Sequence, residues 1–271
     1  MTDRYAAFDR LLFDRPAPFV LRITLNRPEK LNAFDHALHE QVERVWAAVD
    51  EDPEVRVSII TGAGRGFCAG ADIGGLEAEE RPDPMQSWCR DFNSGSRMVY
   101  NLMHARKPVI SAINGAAAGA GLALALMADI PIAAKTAKLL DGHTRIGVAA
   151  GDHAAMVWPL AIGMAKTKYF LMTNESINGE DAERMGLVAL AVDLDQLQAR
   201  AVEVATKIAE TSPTAIRITK YCMNHWYKQH QTIFDLSLAM ELVGFHGRES
   251  QEAISALANR RKPNFDMDCT F

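Results

Sequence analysis

Apolar positions alternate along Phe19-Val20-Leu21-Arg22-Ile23-Thr24-Leu25-Asn26 as they do in a half-buried strand, and Arg27-Pro28 stops the run. The period then changes. Over residues 35–49, Leu38, Val42, Val45, Trp46 and Val49 recur at helical spacing, and a second β-rich run fills residues 55–61. The same order returns downstream, with a strand expected over 108–113, a helix over 120–127 and a strand over 130–134. This is a weak internal repeat of a strand-helix-strand unit. Beyond Asp141 the pattern turns helical, predicting helices over 151–163, 179–186, 194–212 and 213–223, and a long one over 232–258. The expected class is α/β, a mixed core followed by a helical C-terminal part.

Length and charge narrow the functions open to such a chain. Its 271 residues can bury a substantial core. The net charge is -5, and no basic cluster exceeds Arg260-Arg261-Lys262, so nucleic-acid binding has no electrostatic footprint. Residues 109–128 carry no charge, enough to weigh a membrane span, but Asn114 and its neighbouring glycines interrupt the stretch. A buried strand-loop-helix accounts for it better. Cys68, Cys89, Cys222 and Cys269 are scattered without metal or redox spacing, as expected of reduced thiols in a cytoplasmic protein. The polar start Met1-Thr2-Asp3-Arg4-Tyr5 does not read as a secretory signal.

Two glycine- and alanine-rich stretches carry the chemistry. Gly64-Arg65-Gly66-Phe67-Cys68-Ala69-Gly70-Ala71-Asp72 and Asn114-Gly115-Ala116-Ala117-Ala118-Gly119-Ala120-Gly121 each follow a β-like run. Small side chains let backbone N–H groups approach a carbonyl oxygen to about 3 Å, so two such loops could supply the two donors of an oxyanion hole.

Four segments, in this order, resemble the crotonase superfamily of enoyl-CoA hydratases and isomerases. They are Leu25-Asn26-Arg27-Pro28-Glu29-Lys30-Leu31-Asn32-Ala33-Phe34, the run from Gly66 to Asp72, Lys107-Pro108-Val109-Ile110 through Gly121, and Arg261-Lys262-Pro263-Asn264-Phe265. The resemblance implies a ClpP/crotonase-like spiral of ββα units over residues 1–200 and a C-terminal helical trimerisation region over 201–271, giving a homotrimer or hexamer. It also implies an acyl-CoA substrate, with coenzyme A as part of it, and no metal or other cofactor. The implied oxyanion donors are the N–H groups of Ala71 and Ala120. Lys30, Leu31, Ala33, Ala69, Asp72 and Ile73 would line the CoA groove, and a basic residue near Lys262 of a neighbouring subunit would approach a phosphate.

The catalytic positions depart from the hydratase pattern. Where those enzymes carry two glutamates, this chain has Ala123 and His143, and alanine cannot activate water. The segment Asp141-Gly142-His143-Thr144-Arg145-Ile146-Gly147 through Gly151-Asp152-His153 resembles instead the β-diketone hydrolases such as 6-oxocamphor hydrolase. That resemblance pairs His143 with Asp152, adds Glu241 from the C-terminal helices, and puts His39 and Trp88 in a possible acyl pocket built partly by residues 74–94. His143 would take a proton from water with Asp152 orienting it, and His143 or Glu241 would reprotonate the enolate. His153, beside Asp152, competes for the role of base.

Three readings follow. The first is an acyl-CoA enzyme that stabilises an enolate and uses the His/Asp pair for water-dependent chemistry. The second is retro-Claisen hydrolysis of a β-diketone, CoA-linked or free. The third is a CoA-binding protein without catalysis.

Overall fold

The computed structural model describes residues 3–72 and 83–265. Strands β1 (Leu11–Ala17) and β2 (Val20–Leu25) form an antiparallel hairpin, with Leu11 opposite Leu25. Helix α1 (His36–Glu51) starts at Asp35, whose side chain accepts the Leu38 N–H, and buries the face carrying Leu38, Val42, Val45, Trp46 and Val49. The chain then makes paired strands: β3 (Val57–Gly62) with β4 (Gly66–Cys68), β5 (Val109–Ile113) with β6 (Ala116–Ala118), and β7 (Ile130–Ala134) with β8 (Lys138–Leu140). Between the pairs lie α2 (Pro84–His104) and α3 (Ala120–Leu126).

The first strand of each pair joins one sheet and the second joins another. A six-stranded sheet runs β1-β2-β3-β5-β7-β10, parallel from β2 onward, with β10 covering Leu190–Val192. A four-stranded sheet runs β4-β6-β8-β9, with β9 at Ile177–Asn178. This alternation is the expected spiral of ββα units. The β3 and β5 side chains are buried throughout, as a parallel sheet covered on both faces requires. It has one functional consequence. β4, β6 and β8 are parallel neighbours, so the segments leaving their C-terminal ends converge, and these are the two glycine loops and the Asp141–His143 stretch.

The remaining helices are α4 (Ala154–Thr173), α5 (Gly179–Met185), α6 (Leu197–Ala209), α7 (Pro213–Gln229), α8 (Gln231–Gly244) and α9 (Arg248–Ala258). Helix α6 spans residue 200 and lays Leu197, Ala201, Ala205 and Ala209 on the large sheet. The helix expected over 232–258 is two helices, α8 and α9. Gly247 adopts an extended conformation as the cap of α9, and Gly244 packs against Val148 where a side chain would be crowded. The helix expected over 151–163 begins at Ala154 and continues to Thr173 past Gly163, whose φ of 76° breaks its regularity. Strands β1, β4, β6, β8, β9 and β10 and helix α2 were not predicted. Most of these strands are two or three residues long, too short to display a period. Helix α2 begins at Pro84, so the end of the expected acyl-pocket loop is helical; its residues 74–82 lie outside the described residues. Among the described residues, no helix is long and apolar enough to cross a membrane.

Candidate active site

The first wall of the site is backbone. Phe34 donates its N–H to Gly70 O at 2.7 Å, and Asp72 donates to Phe34 O at 3.0 Å, so Phe34 bridges Ala71 as an added parallel strand would. In that pattern the Ala71 N–H points away and meets no described acceptor. Gly70 has a φ of 88° and lies so close to the second loop that a Cβ would stand 2.8 Å from Ala118 O. Glycine is therefore required twice over, by conformation and by space. Ala120 opens α3, where the first N–H groups have no intrahelical acceptor and the helix dipole favours a negative charge.

The segment from Leu25 to Phe34 is tied to this wall. The buried Asn32 amide donates to Ala63 O and Gly66 O, both at 2.9 Å, and its oxygen accepts the Arg27 N–H. Leu31 and Asn32 take left-handed φ values of 52° and 56°, which folds the loop so that Ala69 can donate to Leu31 O. Lys30 is exposed, Ala33 is buried and Leu31 and Ala69 are half-buried. Asp72 is paired with Arg27 at 2.8 Å. Ile73 lies outside the described residues. Lys262 is exposed.

The second wall is charged and buried. Gly142, with a φ of 90°, reverses the chain after β8, so that Asp141 Oδ1 accepts the His143 N–H at 3.3 Å and meets His143 Nδ1 at 3.1 Å. That contact puts a proton on Nδ1 and leaves Nε2 facing Asp152 Oδ2 at 3.6 Å and Glu241 Oε1 at 3.4 Å. Glu241 reaches in from α8 because the facing residue is Gly151, where a side chain would collide with the Glu241 carboxylate. Ser237 fastens the same contact by donating to Gly151 O at 2.7 Å. A Cβ placed on Gly119 would lie 3.9 Å from His143 Nε2, so the imidazole stands beside the loop that leads into Ala120.

Burial disfavours a charged His143, but the carboxylates of Glu241, Asp152 and Asp141 outweigh it and hold the imidazole well above the usual histidine range. Burial would likewise raise Asp152, yet His143 and His153 pull it down to about 2. Glu241 is raised, because burial outweighs its attraction to His143.

Sequence reasoning paired His143 with Asp152 and left two supports unassigned. Asp141 orients His143 from its far nitrogen. His153, fully buried, meets Asp152 Oδ1 at 2.6 Å through Nδ1 and accepts the Trp158 indole N–H at Nε2, 3.1 Å away. Both ring nitrogens of His153 are therefore occupied. It is tied to Asp152 and to Trp158, and the sequence signal for this was the Trp five positions after it. Ala123 is buried in the hydrophobic core.

His39 and Trp88 do not join this cluster. His39 Nδ1 meets the buried Glu43 carboxylate at 2.9 Å and lies near Ser94 Oγ, while its ring stands edge-on to Phe34. Burial works against a charged Glu43, but hydrogen bonds from His39, Ser94 and Arg97 lower its pKa. Trp88 stacks on Phe92 in α2 with centroids 5.1 Å apart.

The profile of the enoyl-CoA hydratase/isomerase family matches residues 17–268. A 1,2-epoxyphenylacetyl-CoA isomerase of Escherichia coli is 32% identical over 250 residues, covering 91% of this chain and 94% of that protein. An (E)-benzylidenesuccinyl-CoA hydratase of Thauera aromatica is 35% identical over 202 residues, covering 74% and 77%. The crystal structure of an enoyl-CoA hydratase/isomerase from Mycobacterium paratuberculosis superposes with a TM-score of 0.83 at 31% identity, covering 91% of this chain and 97% of that one. With its two strand-end loops and the matching spiral, the chain belongs to the enoyl-CoA hydratase/isomerase family, within the crotonase superfamily.

Proposed function

We propose that the protein is an enzyme acting on an acyl-CoA thioester, whose enolate oxygen is held by the N–H groups of Ala71 and Ala120 while His143 moves the proton. The single observation that carries this reading is the position of His143, ringed by Asp141, Asp152 and Glu241 and adjacent to Gly119. The CoA-named relatives and the Leu25–Phe34 segment support the thioester, with Lys30, Leu31, Ala33, Ala69 and Asp72 as its groove.

The electrostatics refine the roles. Taking a proton from water requires neutral His143, whereas three carboxylates favour the imidazolium. His143 is therefore the proton donor to the enolate carbon, and Asp152, held near 2, is its charge partner. Glu241, whose pKa burial raises, is in its ionised form the stronger carboxylate base and the better acceptor for a proton from water. In hydration, water oxygen bonds to the β-carbon and its proton goes to Glu241. His143 then protonates the α-carbon, so one water is added overall.

Retro-Claisen cleavage of a β-diketone is the second reading, favoured by Ala123 and His143 at the positions of the two hydratase glutamates. Hydroxide would add to the ketone, the C–C bond would break, and the departing enolate would be held and protonated by the same groups. Incubation with crotonyl-CoA and with a cyclic β-diketone CoA thioester, followed by mass spectrometry, separates the readings. A 3-hydroxyacyl-CoA supports hydration and a ring-opened acid supports cleavage. CoA binding with no turnover on a broad acyl-CoA panel overturns both in favour of a binding protein.

Assembly as a homotrimer or hexamer is part of the proposal, supported by the exposed Ile218, Tyr221, Met223 and Trp226 on α7. Sedimentation velocity tests it, and a monomer at micromolar concentration would overturn it. A reduced, cytoplasmic setting is proposed on the scattered cysteines, of which Cys68, Cys89 and Cys222 are free and Cys269 lies outside the described residues.

A further inference from the structure

Helix α1 buries an apolar face with one exception. Glu43 is 3% exposed and is buried along with Leu38, Val42, Val45, Trp46 and Val49, yet it takes no part in the cluster around His143. Both of its carboxylate oxygens are occupied. Oε1 accepts from Ser94 Oγ and meets His39 Nδ1 at 2.9 Å, and Oε2 accepts the Arg97 Nε–H at 2.7 Å. Its backbone oxygen accepts from the Asn101 amide at 2.9 Å. Burial would raise its pKa, but the hydrogen bonds from His39, Ser94 and Arg97 bring it below the usual carboxylate value.

Apolar side chains at such a place often serve stability as well as a buried charge does. What a carboxylate adds is direction. Ser94, Arg97 and Asn101 all lie on α2, so their bonds to Glu43 fix both the height and the rotation of α1 against that helix. The position fixed in this way reaches the backbone wall. His39 precedes Glu43 by one turn, and its ring, held at Nδ1, stands edge-on to Phe34 with centroids 5.4 Å apart. Only the capping Asp35 separates Phe34 from α1, and the Phe34 N–H and C=O bracket Ala71 through Gly70 O and the Asp72 N–H.

We propose that Glu43 is a positioning residue: by clamping α1 to α2 and holding His39 against Phe34, it sets where the Ala71 N–H points and so how strongly the oxyanion hole grips a carbonyl oxygen. The inference rests on the oxyanion reading above.

The test reads the carbonyl directly. Butyryl-CoA labelled with ¹³C at the thioester carbon is bound to the full-length protein and followed by isotope-edited infrared spectroscopy. Two fixed N–H donors draw electron density onto the oxygen, so the carbonyl stretch should fall on binding to the native chain. Glu43→Leu should lose most of that downshift while circular dichroism stays native, because Arg97 is exposed enough to turn to water. With a substrate that turns over, the same variant should lower kcat by about tenfold to a hundredfold, and KM far less. Ser94→Ala, which removes one donor and keeps the carboxylate, should show the same changes in smaller measure, and it carries the test if Glu43→Leu does not fold. A downshift that the folded variants retain, or a fall in kcat with the carbonyl band unmoved, overturns the clamp and leaves the oxyanion reading standing. No binding or no downshift in the native enzyme overturns that reading, and the clamp with it.

Discussion

The two walls of the site are built on opposite principles. The Ala71 and Ala120 wall is made of main chain, with donors set by sheet pairing and by the start of a helix, and its side chains matter only by being small. The wall of Asp141, His143, Asp152 and Glu241 is made of side chains, each held by a specific neighbour. The proposed oxyanion hole, being of the first kind, is hard to alter except by steric intrusion. A proton-transfer set of the second kind changes with a single substitution, so one backbone frame can serve different reactions.

Substitutions in the charged wall should break this contrast most sharply. His143→Ala and Asp152→Asn are expected to lower kcat by roughly a hundredfold to ten-thousandfold, while calorimetry finds CoA binding nearly unchanged. Full activity in either variant removes that residue from the mechanism. The backbone wall should yield only to bulk. Gly70→Ala, which drives a methyl toward Ala118 O, should separate the loops and lower kcat by about a hundredfold. Its KM for acyl-CoA should change far less, as steady-state kinetics would show.

A pH profile sharpens the difference without mutation. Because the folded pKa of His143 is raised and its acid form is the donor, kcat should be flat through the ordinary histidine range near 6.5 and fall about tenfold per unit above the raised value. A kcat that climbs with pH over that upper range would instead identify neutral His143 as a base. The smallest effect belongs to the outer support. Trp158→Phe removes the indole donor to His153, and kcat should fall by about threefold to tenfold with a shift in the pH profile. An unshifted profile at reduced kcat would mean that the indole only packs.

The backbone wall was largely legible in the sequence, since glycine and alanine runs after β-rich segments are local signals. The long strands and α1 were legible for the same reason. The charged wall was legible only in part. His143 and Asp152 stood out by residue type, but Asp141 acts through the reversal at Gly142, and His153 through a tryptophan five residues on. Such roles depend on ring orientation, which no period in the sequence encodes. The break between α8 and α9 was missed because Gly244 and Gly247 act through contact with Val148 and through the geometry of a cap. His39, named through the β-diketone hydrolase resemblance, lies in a network with Glu43 and Ser94.

Glu241 reaches Gly151 from ninety residues downstream. During synthesis, a nascent chain that ends before residue 231 already carries both proposed oxyanion donors and the His143–Asp152 pair but has no third carboxylate. Because so distant a closure forms late in folding, the pocket for the anion should mature before the machinery that protonates it. A C-terminally shortened chain would then be a trap for acyl-CoA before it was a catalyst.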